Sequence, residues 1–588
     1  MIDRSRLKTA AQGAGLALCL VLYLSMQDYS EIDFFRDTDD HLRVAWLTWN
    51  LSQGHFLPQP LFPRDGGLDG LLVHWTLPWN LFLTGMLALP AWLVGWPEAF
   101  RLAAPLIGPA LLGAVGTAAS WTVAPLVNRQ GRIVAAAVAA SSPVVLGYGL
   151  PGGLDHHLAG IALAMAGAGA AVRGLQNHSS AWAACCGMAL AAAVWTAADA
   201  LPLCLVVAGV LLLTEKGTGQ SNVSAIAAAA ALVVSCVAVA VDPPATGTFT
   251  IDAYRMSVFH ASVWLVFFGA AASADAMRGR VNPLLVATVV GIAGAVGWGA
   301  ILHSGLAAII VVDFPADMLN RIAEMRPIDT MDRALRVLLP LIPPICVALW
   351  TARYTRAPRA RWAWAATALG LLALAGLSVW HVRFGAHAQA AAGAVMGVAY
   401  LKLQLLARAW RRQAVSSTSA TLVRSAPSLS VAVIAMAHVV PMVPSWPPPV
   451  AAEGTPEAQG DCVLSRVANS INAALPAGTT VLTDINMAPR LLTLTMMRSF
   501  AGPYHGYRGR TPEKLLEILG TADEGEAQLM LRREAVGAVL VCPKIIRSMP
   551  RVKDGTFGAV LSSGSVPAWL QPIDLAVSGT ALRLYSVR

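Results

Sequence analysis

Apolar runs of roughly span length recur along the chain from residue 9 to residue 444, separated by polar connections of varied length. A bilayer core takes about 20 mostly apolar residues in a helix. The runs therefore predict thirteen membrane-spanning helices, at 9–26, 102–125, 132–150, 156–172, 181–197, 200–214, 223–241, 258–274, 282–302, 333–351, 362–380, 386–406 and 428–444. Past residue 444 the pattern changes. "SWPPPVAAEGTPEAQG" is a Pro-rich linker over 445–460, and beyond it the apolar positions fall at strand and helix periods. "TTVLTD" and "VGAVLVC" predict buried strands, "TPEKLLEILG" and "EGEAQLMLRREA" helices, and "ALRLYSVR" a last strand. The expected fold is an α-helical polytopic membrane protein over 1–444 with a soluble C-terminal α/β domain over 461–588.

Basic residues orient the spans. With thirteen helices the connections on one side are "MIDRSRLK", "VNRQGR", "RGLQNHSS", "TEKGTGQSN", "DAMRGRVN", "TARYTRAPRAR" and "ARAWRRQ", and each carries Lys or Arg. That side is cytoplasmic by the positive-inside rule. The N-terminus is then inside, and the long connections 27–101 and 303–332 and the C-terminal domain are outside, in the periplasm of a bacterial inner membrane. The run 77–96 is also apolar enough to span, but counting it would put "TARYTRAPRAR" outside. It is predicted as an interfacial or re-entrant helix pair.

Composition agrees: 56% of the 588 residues are hydrophobic and 13% charged, against roughly 25% charged in soluble domains. The net charge of +9 is spread over short clusters between spans, which fits membrane orientation and excludes nucleic acid as a partner. The basic start before 9–26 resembles a secretory signal, but no clear cleavage site follows, so it is read as an uncleaved first span. Of the cysteines, only Cys462 and Cys542 lie in the polar tail, where an oxidising compartment permits a disulfide.

The polar clusters all fall on the outer side. "RDTDDHLRVAW" supplies Asp37, Asp39, Asp40, His41 and Arg43. Three carboxylates this close can bind a divalent cation or take a proton from a nucleophile, and they equally suit an acidic helix cap. "GGLDHHL" supplies Asp155, His156 and His157, without zinc-type spacing; a helix N-cap at Asp155 is the competing reading. "NRIAEMRP" offers Arg321 and Glu324, and "HVRFGAH" offers Arg383 between two histidines. A guanidinium near the membrane suits a phosphate, though it can also simply snorkel. Weaker candidates for lining a sugar or head group are His74, the stretch Tyr254 to His260, and Tyr504, His505, Tyr507 and Arg508 of "AGPYHGYRGR".

An acidic first outer loop, interfacial helices and "WPEAFRLAAPLIGPALLGAVGTAASWTVAPLVNRQGRIVAAAVAASSP" resemble the GT-C superfamily of membrane glycosyltransferases. Within it, the layout is similar to the oligosaccharyltransferase catalytic subunit. That family has an Asp six residues before an Arg in the first outer loop, as Asp37 stands to Arg43 here. It has an acidic group at the next outer turn, like Asp155, a mobile-loop Glu, like Glu324, and a late phosphate-binding Arg, like Arg383. The tail lacks the family's "WWD" type signature, which argues against N-glycosylation of proteins.

The resemblance implies sugar transfer from a polyprenyl-phosphate or polyprenyl-diphosphate donor to a glycan, lipid or protein acceptor. Asp37, Asp39 and Asp40 are the catalytic candidates. Arg43, His74, Asp155, His156, His157, Arg321, Glu324, Arg383, Tyr504 and His505 are the substrate-binding ones. Asp37, Asp155 and His156 would hold a cation such as Mg2+ or Mn2+. The alternative functions are a transporter or flippase of lipid-linked saccharide, or a polysaccharide polymerase or ligase. Acidic residues placed in loops rather than at span centres favour the enzyme.

Overall fold

The computed structural model describes residues 35–220, 222–245, 247–303, 325–413, 462–504, 506–575, 577 and 579–588. The predicted spans 9–26 and 428–444 lie outside the described residues, as do Arg321, Glu324 and His505.

In the connection predicted as the first outer loop, and called the outer loop below, the first described helix is α1, Thr38–Ser52. Asp37 starts it as N-cap, accepting from the Asp40 backbone N–H, while the Asp40 carboxylate reaches back to the Asp37 N–H to close a capping box. A two-stranded ribbon, β1 (Leu61–Phe62) and β2 (Leu71–Leu72), follows. Next come α2 (Leu77–Val94) and α3 (Trp96–Val123), joined by Gly95 alone. That residue has φ +83°, a conformation that costs a glycine little and other residues more. The segment predicted as a helix pair at 77–96 is thus one helix, and its partner is the start of α3. Prolines 105 and 109 lie inside α3.

The helices that follow, before the tail, are α4 (Arg129–Ser141), α5 (Pro143–Tyr148), α6 (His157–Asn177), α7 (Ser180–Thr196), α8 (Leu201–Gly217), α9 (Val223–Val241), α10 (Val258–Ala276), α11 (Pro283–His303), α12 (Met331–Leu338), α13 (Ile342–Tyr354), α14 (Pro358–Trp380) and α15 (Phe384–Gln413). Among the described residues nine helical segments are long and apolar enough to cross a membrane. They include α2, which the charge rule had kept out of the count, and two segments extended by short 3-10 turns, Ala198–Gly217 and Met331–Tyr354. α7 and the apolar part of α11 are shorter. The predicted span 132–150 breaks at Ser142–Pro143 into α4 and α5, as expected where proline removes a donor. The buried Gln389 of α15 repairs the break: its Oε1 accepts from Val144 N at 2.8 Å, and its Nε2 donates to Arg336 O at 2.8 Å.

Small residues set the close crossing of α4 and α15. A Cβ on Gly397 would lie 2.4 Å from the Gly131 carbonyl oxygen, so this contact depends on glycine, as close crossings in membranes do.

The tail folds around a mixed five-stranded sheet, ordered β4-β3-β5-β7-β6, with β3 Thr480–Leu482, β4 Arg498–Ser499, β5 Val536–Val541, β6 Leu570–Ile573 and β7 Arg583–Val587. β3 is parallel to β4 and β5, and β7 is antiparallel to β5 and β6. The helices Thr511–Gly520 and Glu524–Arg533 stand where the sequence predicts them. Cys462 and Cys542 form a disulfide.

The tail is docked on the first outer loop through the backbone. Ser499 N donates to Arg64 O at 2.7 Å, Gly66 N to Ser499 O at 3.2 Å, and Leu72 N to Gly506 O at 3.0 Å. Arg64 spans the seam, its Nη2 donating to Thr495 O at 2.7 Å and Met497 O at 2.8 Å. Leu492, Tyr504 and Tyr507 of the tail enter the same apolar core as Trp46, Trp75 and Trp79. The outer loop is therefore held between the membrane helices and the tail.

Candidate active site

The first turn of α1 is pinned to the loop preceding α6. Asp40 Oδ1 accepts from Leu154 N at 2.6 Å, and the Leu154 carbonyl accepts from Trp79 Nε1 at 2.7 Å. Gly152 N donates to Ala104 O at 3.0 Å, and Arg36 N donates to Gly152 O at 3.1 Å. This bracing sets Asp155 beside Arg43.

Arg43 is fully buried. Its Nη1 donates to Asn80 Oδ1 at 2.8 Å, its Nη2 lies 3.4 Å from Asp155 Oδ1 and 2.9 Å from His156 Nδ1, and its guanidinium stacks 4.1 Å from the Trp75 ring centre. Burial lowers its pKa, while the charges of Asp155, Asp39, Asp40 and Asp37 oppose that. Asp155 is in contact with this guanidinium, and the three carboxylates of α1 lie within its electrostatic reach.

From Asp155 a continuous line of polar groups crosses to the late helices. Asp155 Oδ2 is 3.0 Å from His157 Nε2, and His157 Nδ1 is 2.7 Å from Asp199 Oδ2. The same Asp199 oxygen is 3.5 Å from Arg383 Nη2 and 4.0 Å from His387 Nε2. Arg383 also contacts Met325 Sδ at 3.1 Å, and its charge reaches Tyr254, whose ring stands 6.4 Å from that of His74. The first outer loop, the α6 entrance, the α7–α8 turn and the start of α15 therefore meet in one polar site.

The carboxylates divide by environment. Burial pushes the Asp40 carboxyl well above its ordinary range, with Asp37 and Asp155 adding to the rise. Burial pushes Asp155 up as well, but His157, His156 and Arg43 more than offset it and hold the group below the usual carboxylate range. Burial lowers the pKa of His156, against the pull of the Asp155 charge.

Asp155 is not the N-cap of α6; His156 is, and Asp155 Oδ1 accepts from the His156 N–H at 2.7 Å. Asp37 does cap a helix, and Asp40, placed among the catalytic candidates, has its oxygens engaged by the backbone N–H groups of Leu154 and Asp37. Asp39, in the same turn, is felt by both Arg43 and Tyr504. His41 points away from the site: it meets Phe35 edge-on at 5.3 Å, and burial together with Arg490 lowers its pKa. Tyr504 is buried, donating its hydroxyl to Thr38 O at 2.8 Å, so it secures α1 to the tail.

The group expected to hold a cation regroups. Asp155, His156 and His157 each offer a ligand atom within 4.8 Å of the others, and Asp37 is not among them. One carboxylate and two imidazoles are a donor set that fits a divalent cation.

Asp199 was missed by sequence reasoning, as was Asn80. The signal for Asp199 was available, a lone carboxylate in the short outer turn "TAADALP" between two apolar runs. Asn80 sits inside an apolar stretch and gave none.

No protein-family model matches the sequence, and no curated protein matches it either. Solved structures do match, in fold. The archaeal oligosaccharyltransferase AglB from Archaeoglobus fulgidus, in complex with an inhibitory peptide and a dolichol-phosphate, aligns with a TM-score of 0.68 at 12% identity, over 96% of this chain and 72% of that one. The same enzyme tethered to an acceptor peptide containing the NVT sequon aligns with a TM-score of 0.66 at 11% identity, over 98% and 74%. Its complex with Zn and sulfate aligns at 0.62 and 12%, over 95% and 71%.

Proposed function

We propose that this chain is an integral membrane glycosyltransferase. It moves a sugar or oligosaccharide from a polyprenyl-phosphate or polyprenyl-diphosphate donor to an acceptor at the outer face of a bacterial inner membrane, in assembly of a cell-envelope glycan. Thirteen spans, an N-terminus inside and the tail outside complete the reading. The observation that carries it is the line Arg43–Asp155–His157–Asp199–Arg383, which brings two carboxylates, an imidazole and two guanidinium groups together where apolar helices end. That AglB was solved with a dolichol-phosphate, and separately with Zn and sulfate, supports an anionic lipid-phosphate donor and a metal.

In this reading an acceptor oxygen forms the new bond to the anomeric carbon as the bond from that carbon to the phosphate oxygen breaks. The electron pair leaves with the phosphate, and the acceptor proton passes to Asp37 or Asp39. Arg383 stabilises the departing anion by fixed donors aimed at developing charge. Asp155, His156 and His157 would hold the divalent cation, which when bound supplies Lewis-acid stabilisation of phosphate oxygen. Arg43 keeps the surrounding carboxylates at their positions.

The test is turnover of polyprenyl-linked sugar donors by the purified protein, comparing wild type with Asp37→Asn, Asp39→Asn and Arg383→Ala. Full turnover in all three variants would remove these residues from the chemistry. No turnover by wild type across monophosphate and diphosphate donors would remove the reading.

A further inference from the structure

Asp199 occupies a position that neither the acceptor chemistry nor the phosphate contact explains. Its side chain is nearly buried at the outer end of α8, and one of its oxygens, Oδ2, faces three groups with basic nitrogens: His157 at 2.7 Å, Arg383 at 3.5 Å and His387 at 4.0 Å. A lone carboxylate at this depth is costly unless it is paired, and here the pairing joins the two halves of the site.

The contact with His157 has a specific geometry. The imidazole presents Nε2 to Asp155 at 3.0 Å and Nδ1 to Asp199 at 2.7 Å. A carboxylate behind the far nitrogen of a metal-ligating histidine fixes the ring's tautomer and direction and raises its basicity. Asp155, His156 and His157 form the donor group of the site, and Asp199 stands behind one of them.

We propose that Asp199 is a positioning residue with two tasks. It fixes His157 with Nε2 turned toward the cation site, and it holds the Arg383 guanidinium at the place where the lipid phosphate arrives. This rests on the glycosyl-transfer reading for its biological meaning, but the His157 task is a binding property measurable without turnover. Through one oxygen, Asp199 ties the orientation of a metal ligand to the position of a phosphate ligand. Removing it loosens both.

The experiment is Mn2+ titration of the purified, detergent-solubilised protein, followed by electron paramagnetic resonance, for wild type, Asp199→Asn, Asp199→Glu and Asp155→Ala. Asp155→Ala should abolish binding. Asp199→Asn should weaken Mn2+ binding by about ten- to a hundredfold, the usual loss when such a partner is removed, and change the spectrum of the bound ion. The KM for a lipid-linked donor should rise in parallel. Wild-type Mn2+ affinity in Asp199→Asn overturns the proposal, as does absence of Mn2+ binding by wild type. If Asp199→Asn does not survive purification, Asp199→Glu decides: its carboxylate is displaced by one methylene, so binding weakens, and unchanged affinity overturns the proposal. Wild type that binds Mn2+ but turns over no lipid-linked sugar sinks the glycosyl-transfer reading and leaves the Asp199–His157 relation standing.

Discussion

Tyr507 donates its hydroxyl to Oδ2 of Asp65 at 2.8 Å, joining two buried side chains 442 residues apart in the chain. The hydroxyl in turn accepts from Gly502 N at 2.5 Å. Beside them Asp65 and Ser499 form a parallel bridge, and Leu71 and Tyr507 an antiparallel one. The seam between outer loop and tail is therefore extended backbone pairing closed by a buried acid and a phenol.

This acid makes the seam sensitive to pH. Burial pushes the Asp65 carboxyl up to about 7, against the pull of Tyr507, Gly66 and Ser499. The unfolded group ionises near 3.9. A carboxyl whose folded pKa is raised contributes stability that is fully present below the unfolded pKa and is lost as pH rises through the folded one. Between about pH 4 and 7 wild type should thus lose stability relative to Asp65→Asn, by roughly 4 kcal/mol at most. Thermal unfolding and limited proteolysis of the two proteins across this range check it; parallel profiles would show that Asp65 does not titrate there.

Arg43 should tolerate no replacement. Removing one partner of a buried ion pair costs about 3–5 kcal/mol, and Arg43→Ala would leave the buried Asp155 without its guanidinium partner. Arg43→Lys keeps the charge but loses the fork to Asn80 and His156 and the stack on Trp75, which an ammonium cannot reproduce. Both variants should lower the melting temperature, with Lys intermediate, and both should cut turnover at least tenfold. A Lys variant with wild-type melting and turnover would mean that only charge matters at this position.

The architecture was largely legible because bilayer thickness imposes one length on every span and lysine and arginine mark one side. α2 shows where that reasoning ends: hydropathy alone makes it a span, the charge rule makes it interfacial, and the one-residue turn at Gly95 into α3 is visible only in three dimensions. For the site, Arg43, Asp155, His157 and Arg383 could be singled out as polar groups in apolar surroundings. Their order of contact could not, since it depends on the α7–α8 turn carrying Asp199. Docking of the tail on residues 64–72 left no periodic trace, because the strands involved are two residues long or single bridges.

The disulfide gives the tail a measurable dependence on redox state. Cys462 and Cys542 are joined across a sequence separation of 80, linking the start of the tail to the end of β5. Closing a loop of this size restricts the unfolded chain by about 4–5 kcal/mol on the entropy model. Reduction, or Cys462→Ser with Cys542→Ser, should lower the melting temperature of the tail while the membrane helices unfold as before. Maleimide labelling of both cysteines without prior reduction would show that the bond does not form.

The choice between Asp37 and Asp39 as base can be made cleanly because of what Asp37 does for α1. Its carboxylate accepts from Asp40 N at 2.9 Å as the helix N-cap, and asparagine caps a helix about as well as aspartate. Asp37→Asn therefore removes the charge and the proton acceptor while leaving the geometry of α1, and should keep the melting temperature of wild type. Asp37→Ala removes the cap too and should cost about 1 kcal/mol more. If Asp37 takes the acceptor proton, Asp37→Asn lowers kcat on the order of a hundredfold or more with little change in KM for the donor, and Asp39→Asn retains most of the rate. Wild-type kcat in Asp37→Asn together with a loss in Asp39→Asn would move the role to Asp39, leaving Asp37 the task of starting the helix on which Arg43 is carried.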